Sequence, residues 1–144
     1  MRLIIKATSF IALLCAASTP SQAQNSEVSG LMGIMKKNDQ MICDGVLTLS
    51  GSNIQESTKI EDISVTGGPF SICQLVSFLN SPYDIERDGN QLTVKGVYID
   101  SYWTPGGCEG DLTGTINGNS LTIDSVIPEV DPGTGDCLVK GFFS

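Results

Sequence analysis

The chain has 144 residues, sixteen acidic and eight basic, no histidine, and a formal net charge of −8. Such an excess of acid lacks the Lys/Arg clusters that hold nucleic acid or anionic lipid. Without histidine it also lacks the usual base for a nucleophilic Ser, Thr or Cys and the usual ligand spacing of a structural zinc site.

Residues 1–23 read as an export signal. Arg2 and Lys6 supply a positive start, residues 7–17 a short apolar core, and Ser21-Gln22-Ala23 the small residues of a cleavage site before Gln24. The apolar run falls short of the ~20 residues of a spanning helix, so no transmembrane segment is expected in the mature chain. Residues 24–144 form a single domain of 121 residues. Arg2 and Lys6 leave with the signal, so six basic residues face sixteen acidic ones, a net charge of −10. The expected destination is outside the cell or on its surface, with the periplasm as the alternative.

Beyond the signal, short Val/Ile/Leu/Thr/Tyr runs alternate with Gly, Asn, Asp, Ser and Pro, and no stretch holds a 3.6-residue apolar period. Residues 31–35 start a strand, either an ordinary first strand or an edge that pairs between molecules. Residues 41–49 form the next. In 59–65, Ile63 and Val65 share a face while Ile60 falls out of step. Residues 72–79, the most apolar run, are expected to be central. Residues 84–87, the turn Asp88-Gly89-Asn90 and residues 91–99 make the clearest hairpin, with Gly96 interrupting the alternation so that Val97 and Ile99 still face inward. A second hairpin spans 110–116 and 120–126 about Asn117-Gly118-Asn119, and 137–143 closes the chain. The fold class is all-β, with about eight or nine strands in an antiparallel β-sandwich, and a barrel as the alternative.

One phrase occurs twice: Cys43-Asp44-Gly45-Val46-Leu47-Thr48 and Cys108-Glu109-Gly110-Asp111-Leu112-Thr113. Each copy runs to a second cysteine, giving two units, 43–73 and 108–137, that read as a tandem duplication. Cys15 leaves with the signal, so four cysteines remain, an even number suited to two disulfides. The duplication favours Cys43–Cys73 and Cys108–Cys137, with pairing across the copies as the alternative.

Candidate chemistry is sparse. Asp84-Ile85-Glu86-Arg87-Asp88-Gly89 has the alternating acids of a calcium loop, but its twelfth position is Lys95 rather than Glu, and a solvated hairpin is the simpler reading. Asp131-Pro132-Gly133-Thr134-Gly135-Asp136, near Glu129, reads as a turn before it reads as a cation site. No acid pair is singled out for glycoside hydrolysis. No catalytic, cofactor or metal residues are therefore assigned. Tyr102 and Trp103, with Tyr83, could form an aromatic ledge for an apolar or sugar surface; alternatively Trp103 packs on the second disulfide. Leu31 and Met35 are the other candidates for apolar contact.

These residues resemble the small secreted activators of alkane oxidation of the PraB type. The likeness lies in the signal, the strand opening at Cys43, the segment from Ile63 through Gly67-Gly68-Pro69 to Cys73, the step Pro82-Tyr83, the Gly/Thr strand from Cys108, and Cys137-Leu138-Val139-Lys140-Gly141 near the end. The chain is more acidic than the family pattern and has Tyr83 where a Trp is expected. The resemblance implies a bacterial exported protein, not itself an enzyme, that promotes growth on alkanes, with a hydrophobic surface or alkane as partner. The alternative is a self-associating structural or adhesive subunit of a surface fibre or biofilm matrix.

Overall fold

The computed structural model describes residues 25–102 and 104–144; the expected signal, residues 1–23, and Trp103 lie outside the described residues. Nine strands follow one another: β1 Ser26–Lys36, β2 Asp39–Leu49, β3 Lys59–Thr66, β4 Val76–Leu79, β5 Tyr83–Asp88, β6 Gln91–Ser101, β7 Cys108–Asn117, β8 Ser120–Ile127 and β9 Cys137–Phe143. All pairings are antiparallel.

The sheet closes on itself. Its order is β4-β6-β5-β3-β2-β1-β9-β8-β7 with a further β6–β7 pairing, so the all-β fold takes the barrel form rather than the sandwich. Eight strands make the ring β1-β2-β3-β5-β6-β7-β8-β9. A sandwich would have left β1 an edge. Instead β1 pairs along its length with β2 and, from Gly30↔Phe143 to Lys36↔Cys137, with β9, so residues 31–35 offer no free edge to another molecule. β4 is the extra strand. It pairs with β6 at Tyr98–Ser101 while β5 pairs at Gln91–Val94, and β7 holds the opposite edge, so β4 and β5 lie end to end beside one strand. The ring is thinnest at β3–β5, where only Lys59↔Asp84 and Ile60↔Tyr83 pair.

Period-two alternation puts the apolar side chains inside, and they fill the barrel: Met32, Leu47, Leu49, Leu92, Leu112 and Phe143 are among those almost wholly buried. Phe143 needs glycines around it. A Cβ on Gly45 or Gly141 would come within 2.9 or 2.7 Å of its ring. Ile60 is buried despite its odd phase, because the register slips between Thr48 and Leu49 and a bulge restores it. The same device acts between Val94 and Val97, as the sequence indicates at Gly96. Asp111 clasps that bulge, accepting from Gly96 N (3.0 Å) and from Lys95 Nζ (2.7 Å). Gly89 and Gly118 take positive φ in the two-residue reversals of the expected hairpins.

Both disulfides form within their own copy, Cys43–Cys73 and Cys108–Cys137. They lie at the same end of the barrel, and each closes a loop worth about 3.5 kcal/mol in the chain-entropy account. Cys73 belongs to a short 3-10 segment, Pro69–Leu75, so the run expected to be a central strand is instead this segment followed by the peripheral β4. The opposite end is closed by residues 50–58. Ile54 is buried there, and Arg87 donates from Nη2 to the carbonyls of Ile54 and Ser57.

Tyr83 lies in the core, 1% exposed, with its hydroxyl donating to Leu79 O at 2.6 Å. Burial, with the nearby Asp62 charge, pushes its phenol up to about 12. One of the three tyrosines should therefore ionise near pH 12 in a spectrophotometric titration, a step absent from Tyr83→Phe. The unfolded chain would ionise this group from about pH 10, so its contribution to stability is complete below that value and lost as pH rises towards 12. Asp111 behaves oppositely. The Lys95 and Gly96 hydrogen bonds hold its carboxyl below the ordinary range, so its contribution is present above about pH 4 and lost as pH falls through the lowered value. Urea unfolding across pH should show that acid loss, and Asp111→Asn should lack it. Ile54→Ala should cost about 2–4 kcal/mol in the same assay.

Candidate apolar contact surface

In a filled barrel an outward apolar side chain has no structural task, so its distribution over the outer face is informative. Three rows cross strands β2, β1, β9 and β8 in register: Gln40–Met35–Leu138–Val126, Ile42–Gly33–Lys140–Asp124 and Asp44–Leu31–Phe142–Thr122. Paired residues point to the same side. Leu31, Ile42, Val126 and Phe142 are each between 54% and 60% exposed, and Met35 and Leu138 are half-buried. Together they form one apolar face. Gly33 leaves it flat at the centre. Of its three charges, Lys140 and Asp124 lie 3.8 Å apart and Asp44 stands at one corner.

The other half of the ring carries charge. Glu61 and Asp62 on β3, Asp84, Glu86 and Asp88 on β5, Asp100 on β6, and Glu109 and Asp111 on β7 are outward or partly exposed. Lys59, Arg87 and Lys95 are the cations of that half. In an eight-membered ring β1 stands four steps from β6, and β9 four steps from β5, so the apolar and acidic faces are opposite.

The apolar face continues towards the disulfide end. Ile42 lines a groove with Gln40, Met41, Pro69 and Ile72, and Cys73 Sγ lies 3.6 Å from Ile42 O. Phe70, at the tip of that segment, is fully exposed, at 104%. Phe70 and Ser71 both hold left-handed backbone, φ 56° and 57°, which costs non-glycine residues roughly 1–3 kcal/mol each.

The expected contact residues separate. Leu31 and Met35 belong to the apolar face. Tyr102 stands apart from it, 90% exposed at the end of β6, its N–H donating to Leu75 O at 3.0 Å. Tyr83, expected to join an exposed ledge, is a core residue, because the strand phase of β5 turns it inward. Trp103 lies outside the described residues. Reading the sequence missed Ile42, Phe70, Val126, Leu138 and Phe142. Apolar doublets were the available signal: Leu31-Met32, Ile34-Met35, Met41-Ile42, Val126-Ile127, Leu138-Val139 and Phe142-Phe143 each place one apolar side chain inside and one outside.

The two candidate cation loops are spent on structure. Asp84 pairs with Lys59 at 3.7 Å and Glu86 with Lys95 at 3.9 Å across the hairpin. Glu129 accepts from Gly133 N (3.0 Å) and Gly135 N, and those backbone bonds hold its carboxyl low. Asp136 accepts from Glu129 N at 3.0 Å. Among the described residues no group of three metal-ligating side chains converges, and no helix is long and apolar enough to cross a membrane. Strands with acid outside and apolar residues inside on β3, β5, β6 and β7 also reverse the pattern of a membrane barrel.

Lys36 is buried at the disulfide end, its Nζ donating to Gly106 O at 2.7 Å. It ties Gly106 to β1, and Val130 N, donating to Gly107 O at 2.9 Å, ties the next residue to the connection between β8 and β9.

No curated protein and no solved structure matches the chain. A family model does match, over residues 1–144, and its description is alkane oxidation protein activator PraA/PraB-like. Because that match extends over residues 1–144, the chain belongs to the PraA/PraB-like family of alkane oxidation protein activators.

Proposed function

We propose that the protein is exported and promotes alkane use without catalysis, by adsorbing at the boundary between oil and water. The observation that supports this reading best is the apolar patch shared by β2, β1, β9 and β8, Leu31, Met35, Ile42, Val126, Leu138 and Phe142, set opposite β3, β5, β6 and β7, whose eight acids outnumber the Glu27, Asp39, Asp44 and Asp124 of the patch side. A particle so divided orients at an interface, one side in hydrocarbon and the other hydrated. Transfer of a half-exposed Leu, Ile, Val or Phe side chain into hydrocarbon contributes about 1 kcal/mol, and six such residues on the order of 5 kcal/mol. The acidic face then points to water and keeps coated droplets apart by charge repulsion. A filled core with two bridges preserves that division on contact with oil.

The test is partition of the purified protein to hexadecane droplets, against an equal mass of an unrelated exported protein. A clear excess is expected. Leu31→Asp and Phe142→Asp should each reduce it several-fold, while Ser64→Asp on the polar outer face of β3 should leave it unchanged, with circular dichroism confirming the fold of all three. Partition no better than the control would overturn the proposal, as would equal loss from all three variants.

A further inference from the structure

We infer that Phe70 is the anchor by which the apolar face enters liquid hydrocarbon, an assignment that rests on the interfacial reading above. The segment Gly67-Gly68-Pro69-Phe70-Ser71-Ile72-Cys73 is built to hold one ring outside the protein. Gly67 and Gly68 have φ of 86° and 75°, and a Cβ on either would come within 2.9 Å of Asp44 Oδ2 or Cys73 Sγ. Only glycine fits the approach to the bridge. Two consecutive left-handed residues then follow, Phe70 and Ser71, a conformation that L-residues seldom adopt in succession. Ser71 N donates to Gly68 O and Cys73 N to Gly67 O, both at 3.2 Å, and the Cys43–Cys73 bridge fastens the base to β2. Ile72, two positions on, tucks against the core, while Phe70 is fully exposed. The turn therefore sorts two apolar residues, one inward and one outward.

The chemistry of the tip selects the occupant. Phe has no polar atom to place among lipid headgroups, unlike the Tyr and Trp of membrane interfaces. The adjoining groove, Gln40, Met41, Ile42, Pro69 and Ile72, contains no cation for a phosphate, and the chain carries a net charge of −8. The groove continues through Ile42 into the apolar face. A bulk apolar liquid fits these features better than an anionic bilayer does.

Phe70→Trp in a Trp103→Phe background provides a single fluorophore. On hexadecane droplets containing bromoalkane its emission should shift to the blue and be quenched, and vesicles of brominated phosphatidylglycerol should quench it far less. Phe70→Ala should lower droplet partition several-fold with an unchanged melting temperature. The inference is overturned if the reporter stays water-exposed on droplets that have bound the protein, if Phe70→Ala partitions like the parent, or if vesicles quench equally. The unaltered protein is measured first: if it does not partition, the interfacial reading fails and the anchor with it, whereas binding without an effect at position 70 refutes the anchor alone.

Discussion

Pairing of the first strand with the last is the constraint on which the rest of the molecule depends. Once Gly30–Lys36 of β1 is joined to β9, the sheet has an inside and an outside and nearly every strand residue must be assigned to one. The inside is filled by Met32, Leu47, Phe143 and their neighbours, so further apolar residues can only be displayed. Because β1, β9 and their flanking strands are adjacent in the ring, the surplus gathers on one side. The acids on β3, β5, β6 and β7 occupy the remainder. An amphiphilic surface thus arises without any separate binding module.

Much of this was legible in the residues because the relevant interactions are local or covalent. Asp88-Gly89-Asn90 and Asn117-Gly118-Asn119 specify their reversals by backbone sterics alone, and the repeated phrase at Cys43 and Cys108 indicates which cysteines close on each other. Sandwich and barrel, by contrast, differ in whether β1 meets β9, a pairing between opposite ends of the chain that no local pattern reports. Tyr83 was misread because Pro82-Tyr83 looks like an exposed turn, although the strand beginning there sends the ring inward. Phe70 escaped notice because exposure on a strained turn leaves no periodic trace. The outer apolar face was written in doublets, which look like ordinary core until closure of the sheet sends one residue of each pair outward.

The duplicated phrase also has a spatial counterpart. Its copies fall on β2 and β7, four strands apart around the ring, and the chain divides into β1-β2-β3-β4/β5 and β6-β7-β8-β9. Each half contributes one bridge at the same end, from β2 to the 3-10 segment in the first and from β7 to β9 in the second. The two halves differ in detail. The second half closes with the unbroken β9, whereas the first is interrupted between β4 and β5 and carries the 3-10 segment with Phe70.

The β1–β9 joint also dictates an order of events. While the chain emerges from its amino end, β1 and β2 can form a hairpin, but the far edge of β1 has no partner until the final seven-residue strand arrives. The Cys108–Cys137 bridge must wait for the same strand. Loop closure over so long a separation makes this the slow step of assembly. A chain lacking β9 stays open, and a copy cut short before Cys137 would keep an unpaired β1 edge and an unpaired Cys108.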